Sequence, residues 1–134
     1  MTYLLDTHVW IQRVLGEPLP PLAEETLRKH PDSLALCDIS LWEVAKLVEF
    51  KKVEFKVSLS EVFAAALTSE LTILPITPVI ASTVATIESR GFHKDHADQI
   101  IVATALAHGF RLISNDTRIR QWNQVPMLWR TSRG

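Results

Sequence analysis

Short apolar runs alternate along this chain with longer segments of helical periodicity, and that order admits few folds. Tyr3-Leu4-Leu5, residues 33–37, residues 71–74 and Arg111-Leu112-Ile113 are bounded by polar residues, Gly or Pro, and read as strands. Between them lie segments with helical spacing: residues 6–15, stopped by Gly16; 22–30; 41–50, with Leu41, Val44, Ala45 and Val48 at three-and-four spacing; 58–66; 79–89, stopped by Arg90-Gly91; and the strongly apolar 97–107, stopped by His108-Gly109. Strands alternating with helices of this length predict βα units around a mostly parallel sheet. Residues 125–128 make a fifth, short strand, held to an edge by Pro126.

The expectation is one domain over residues 1–134, because 134 residues with 47% hydrophobic content can bury a real core. A formal charge of −1 neither announces nor excludes a polyanionic partner. Cys37 is the only cysteine, so no internal disulfide forms, and the start of the chain lacks the features of a secretory signal. The apolar-looking region 63–87 is broken by Glu70, Pro75 and Pro78, short of the ~20 continuous apolar residues of a membrane span. These features point to a cytoplasmic protein.

Acids stand where a parallel sheet would collect them. Asp6 follows the first strand, Glu43 lies in the helix after the second, Asp116 follows the fourth, and Asp98 opens the helix that leads back to the fourth. Each has a local explanation: Asp6 as a helix cap, Ser40 with Glu43 as a capping box, Asp95 and Asp98 as cap and first-turn acid, Asp116 as the cap of a turn at Thr117-Arg118. Capping, however, does not require that strand ends be chosen together. Carboxylates gathered at one place raise each other's pKa unless a cation neutralises them. All-oxygen ligands of this kind suit Mg²⁺ or Mn²⁺ and phosphodiester hydrolysis. Thr7 and Ser114 offer hydroxyls beside the acids.

The stretches L-L-D-T-H-V-W-I, I-S-L-W-E-V-A-K-L, D-H-A-D-Q-I-I-V-A-T-A-L-A and L-I-S-N-D resemble, in order and spacing, the successive motifs of the PIN-domain family, in particular its VapC-type toxin ribonucleases. The resemblance implies a three-layer α/β/α fold with a central, mostly parallel sheet of four to five short strands. It implies that Asp6, Glu43, Asp98 and Asp116 form a catalytic centre binding Mg²⁺ or Mn²⁺, with Thr7, Asp95 and Ser114 as auxiliaries. Ser114 stands where the family commonly has threonine, His96 where proline is frequent, and Gln99 where arginine is frequent; the last leaves a phosphate or helix contact open. The resemblance also implies an RNA substrate, a homodimer and an inhibitory antitoxin partner.

Residues 111–134 carry five arginines against one acid, Asp116, and Arg118 and Arg120 are the candidate phosphate contacts. His93 and His96 flank Asp95 without the spacing of a zinc site. His8 adjoins the acids, its role open between substrate contact, proton donor and helix-surface residue. Trp10, Trp42, Trp122 and Trp129 are base-stacking candidates, although tryptophans at apolar helical positions more often fill cores; Trp42 is expected to pack. Apolar residues along 41–50 and 62–67 are candidate dimer or antitoxin contacts. The competing functions are a non-catalytic RNA- or protein-binding module and another acidic-centre enzyme, a DNA nuclease or phosphatase.

Overall fold

The computed structural model describes residues 1–68 and 71–130; of Leu67 and Thr68 only the backbone is considered. Five strands, β1 (Tyr3–Leu5), β2 (Leu34–Cys37), β3 (Thr72–Leu74), β4 (Arg111–Ile113) and β5 (Met127–Leu128), form one sheet in the order β3-β2-β1-β4-β5. Every neighbouring pair is parallel. The helices are α1 (Thr7–Leu15), α2 (Pro21–Lys29), α3 (Asp38–Glu49), α4 (Leu59–Thr68), α5 (Pro78–Ile87), α6 (His96–His108) and α7 (Thr117–Trp122).

Two apolar layers follow from the two-residue period of the strands. Leu5, Leu36 and Ile113 are in register and pack with α1 to α4 through Val9, Trp10, Leu27, Val44, Val62 and Ala66. Leu4, Ala35 and Leu112 face the other way, onto Ile80 and Ile87 of α5, Ile101, Val102 and Ala105 of α6, and Ile119 of α7. Apolar residues on both sides of each strand explain why the runs are continuous rather than alternating. α6 is apolar on most of its surface and correspondingly buried, with Ile101, Val102 and Ala103 fully enclosed. Gly109, at φ +69°, ends it in the left-handed conformation that lets the chain turn into β4 within two residues.

The sequence reading places most elements within a few residues and needs correction at four points. α3 begins at Asp38, so Ser40 lies inside the helix and cannot cap it; the Ser40–Glu43 capping box does not exist. The Asp6 side chain makes no cap hydrogen bond to α1. Thr117 opens a helix, not merely a turn. Trp42 does not pack but stands 55% exposed, while Trp10 and Trp129 are buried. Of the apolar contact candidates, Val44, Val62 and Ala66 belong to the core and Trp42 and Phe50 are on the surface; the side chain of Leu67 lies outside the described residues.

Cys37 closes β2 at 1% exposure, and burial pushes its thiol up to about 12. Thiol reagents should therefore label the native protein about a thousandfold more slowly than the denatured chain, as read by absorbance during labelling in buffer and in guanidinium. Equal rates would contradict this burial.

Candidate active site

The strand order reverses direction between β1 and β4, and in open α/β sheets the crevice at such a switch point, beyond the carboxyl ends of the strands, is where ligands bind. Asp6 continues β1 for one residue, its N–H donating to Ile113 O at 3.0 Å. Its side chain is buried, and Oδ2 accepts a hydrogen bond from Ser114 Oγ at 2.6 Å, across the crevice. The Asp116 N–H donates to the same Ser114 oxygen at 3.0 Å. One hydroxyl thus ties the end of β1 to the loop after β4.

A second hydroxyl ties β1 to α3. Thr7 Oγ1 donates to Glu43 Oε1 at 2.5 Å and lies 2.7 Å from Ser40 Oγ. A threonine hydroxyl has a single proton, so with that proton on Glu43 it is Ser40 that donates to Thr7. Ser40 is fully buried and orients Thr7 rather than the helix start. That role escapes the sequence, where Ser40 three residues before Glu43 looks like a cap.

α6 delivers the next pair. Asp95 caps it, Oδ1 accepting from the Asp98 N–H at 3.1 Å, and Asp98 turns its carboxylate toward the crevice. Arg118 Nη2 donates to Asp98 Oδ2 at 3.1 Å and lies 3.6 Å from Asp116 Oδ2. His93 Nε2 is 3.3 Å from Asp98 Oδ2 without hydrogen-bond geometry, buried and without a partner among the described residues. Burial and the neighbouring Arg118 hold the His93 imidazole below its usual pKa. Asp116 itself caps α7, accepting from the backbone N–H groups of Arg118 at 2.8 Å and Ile119 at 3.1 Å. Gln99, where the resemblance expects arginine, donates to His93 O at 3.0 Å and so braces the loop that carries His93.

The acids sense one another. Asp98 is pushed up to about 7, first by burial and then by Asp95, Asp6, Asp116 and Glu43, despite Arg118 nearby. Burial, with the charge of Asp116 added, also raises Asp6, against the Ser114 hydrogen bond and His8. Glu43 is raised by burial and by Asp6 and Asp95, against the Thr7 hydrogen bond. The four candidate acids and Asp95 therefore share one electrostatic environment. Exposed His8 faces it, since its charge acts on both Asp6 and Glu43. Arg120 lies two residues beyond Arg118, about 200° around α7; its backbone N–H donates to Asp116 O at 3.2 Å, and among the described residues its side chain makes no ion pair with the acids.

This donor set fits a hard divalent cation: carboxylate and hydroxyl oxygens in a partly buried crevice, with Asp6, Glu43 and Asp98 disfavoured in their charged forms. Among the described residues, no three His, Cys, Asp or Glu side chains converge tightly enough to surround one ion as they stand. Mg²⁺ or Mn²⁺ keeps several waters and needs few carboxylates, so a looser set of oxygens suffices. A separate, mostly apolar groove of about 560 Å³, lined by Trp10, Val14, Leu34, Val57 and Val62, opens toward the amino ends of the strands, opposite the acids.

Residues 3–124 match the PIN domain family. The chain belongs to that family. A relative, Ribonuclease VapC22 of Mycobacterium tuberculosis, is 33% identical over 119 residues, covering 89% of this chain and 90% of the relative. The fold is similar to that of VapBC2 from Rickettsia felis bound to a promoter DNA fragment, with a TM-score of 0.74 at 18% identity, covering 96% of this chain and 99% of that one. It is also similar to VapBC-5 of Mycobacterium tuberculosis, a member of the VapBC family of toxin–antitoxin systems, with a TM-score of 0.61 at 19% identity, covering 95% of each chain. At these identities the two structures establish the PIN-type architecture. Among the described residues no helix is long and apolar enough to cross a membrane.

Proposed function

We propose that this PIN-domain protein is a divalent-metal-dependent endoribonuclease, the toxin of a toxin–antitoxin pair, acting at the crevice between β1 and β4. The observation that carries the reading is the gathering of carboxylates in one crevice, where burial first and neighbouring acids second raise Asp6, Glu43 and Asp98 and make the crevice receptive to a cation. The ribonuclease relative supports RNA as the substrate. Asp6, Glu43, Asp98 and Asp116 would hold Mg²⁺ or Mn²⁺. When bound, such an ion supplies charge neutralisation and an activated water for in-line displacement at phosphorus.

The chain's own residues do the rest. Ser114 and Thr7 fix the carboxylates of Asp6 and Glu43, and Asp95 holds the first turn of α6, keeping Asp98 in position. Arg118 has a half-exposed guanidinium beside the acids, where it can swing from Asp98 to an incoming phosphate; exposed Arg120 adds to the positive field of α7. Exposed Trp42 and Phe50 on and beside α3 supply apolar contact area for a homodimer or antitoxin, and the VapBC neighbours support an antitoxin partner. A cytoplasmic setting fits the lone reduced, buried thiol.

The test is cleavage of a defined single-stranded RNA by the purified chain. Cutting is expected with Mg²⁺ or Mn²⁺, to stop on chelation, and to be silenced by the co-purified antitoxin. RNA bound but left intact with either ion would replace the enzyme by a binding module, and equal cutting of the DNA counterpart would replace it by a DNA nuclease.

A further inference from the structure

The acid crevice is not the only recess at this edge. Asn115, between Ser114 and Asp116, joins Gln12, Pro20, Pro21, Trp129 and Arg130 around an open cavity of about 570 Å³. The cavity begins one residue from the hydroxyl that holds Asp6 and runs down the flank of α1, where Gln12 is six residues past Asp6, ~9 Å along the helix axis.

Its chemistry is specific. Trp129 is 6% exposed, and its indole Nε1 is buried with no hydrogen-bond partner among the described residues. An indole N–H can only donate, and a buried donor left unpaired is costly, so a small turn of the Trp129 side chain toward an acceptor in the cavity would be favoured. Arg130 brings an exposed cation, and no carboxylate lines the cavity among the described residues. The amides of Gln12 and Asn115 offer both donors and acceptors, and the prolines give an apolar wall. An anionic group, a hydrogen-bonding edge and a flat apolar body, together, describe a nucleotide.

We propose that this recess is a nucleotide subsite, holding one nucleotide of the RNA strand beside the phosphodiester presented to the acids, its phosphate on Arg130 and its base against Gln12, Asn115 and the proline wall. The inference rests on the ribonuclease reading for the identity of the strand. It explains how a chain of net charge −1 grips a polyanion: locally, with Arg118 at the acids and Arg130 at the adjoining recess.

The test is NMR of the ¹⁵N-labelled chain titrated with a short single-stranded RNA in the absence of divalent ions, so that the strand stays uncut. The Trp129 indole N–H resonance, assigned from the backbone and by its loss in Trp129→Phe, should move downfield as it gains an acceptor. Gln12→Ala and Arg130→Ala should each weaken binding roughly tenfold, and in cleavage should raise KM while leaving kcat within about twofold. An indole resonance that stays fixed at saturating RNA overturns the subsite, even if a peptide moves it, and so does unchanged affinity in both variants. The two readings fail separately. RNA seated against Trp129 but never cut removes the hydrolase and keeps the subsite; RNA cut with the Trp129 resonance fixed removes the subsite alone.

Discussion

Asp98→Asn is expected to lower metal-dependent RNA cleavage by roughly a hundredfold or more, since even residues that merely support metal ligands commonly cost 10–100-fold. Asp6→Asn should do the same. Neither loss should come from unfolding. Asp98 and Asp6 are buried acids raised above the usual carboxylate range, so their charged forms oppose folding at neutral pH in the absence of a cation. Asparagine keeps the shape and removes that opposition. The partner lost with Asp98 is Arg118, whose side chain is 55% exposed, and such a pair contributes little. Measured together, single-turnover rates should collapse while denaturant midpoints hold or rise. A variant with full activity would remove its residue from the mechanism, and a variant that unfolds would show the acid to be structural.

The second large effect is a linkage among pH, metal and stability. In the unfolded chain Asp98 ionises near the ordinary aspartate value of 3.8, whereas in the folded, metal-free protein it keeps its proton to about 7. Between those limits the native state binds more protons than the unfolded state, so this residue's contribution to stability falls as pH rises through the window and levels off above it. The difference between wild type and Asp98→Asn should therefore widen in favour of the variant from about pH 4 to about pH 7, by an amount on the order of a few kcal/mol. Mg²⁺ or Mn²⁺ should reverse the trend, because the ion binds the deprotonated acids. At a hundred times Kd the gain is about 2.7 kcal/mol. Thermal melts at pH 5 and pH 8 with and without Mn²⁺ read both effects. A stabilisation equally large at pH 5, or retained in Asp98→Asn, would place the ion elsewhere.

Much of the fold is legible because its strands are buried on both faces. Leu4-Leu5, Leu34 to Cys37 and Leu112-Ile113 stand out as apolar runs with abrupt polar ends, and those ends locate Asp6 and Asp116. α6 is equally plain, with a long apolar body between Asp95 and Gly109. Other features leave too weak a trace. α7 has six residues and a single buried one, Ile119, which is too little for a periodic signal. Trp42 adjoins the Leu41, Val44 and Val48 stripe in sequence, yet at 100° per residue it falls off that stripe and onto the surface.

For the site, the acids are visible in sequence and their tethers are not. The hydroxyls of Thr7, Ser40 and Ser114 act across 33 to 108 residues, and nothing local distinguishes them from turn or cap residues. His93 lies at the acids because the turn after Gly91 and the cap at Asp95 bring it back over Asp98, a path that spacing does not reveal. Arg118 was nameable as a basic residue near Asp116, but its hold on Asp98 depends on α7 being a helix.

The pairing of β1 with β4 joins Leu5 to Ile113, and the Ser114 hydroxyl meets Asp6 across 108 positions. A ribosome delivers Asp6 108 residues before the hydroxyl that tethers it. As the chain emerges, α1 to α6 are all made before β4 arrives to close the crevice. A chain broken between Asp98 and Arg111 would therefore keep Asp6, Glu43 and Asp98 but lack Ser114 and Asp116, so the candidate centre would lose a fourth acid and the hydroxyl that holds Asp6.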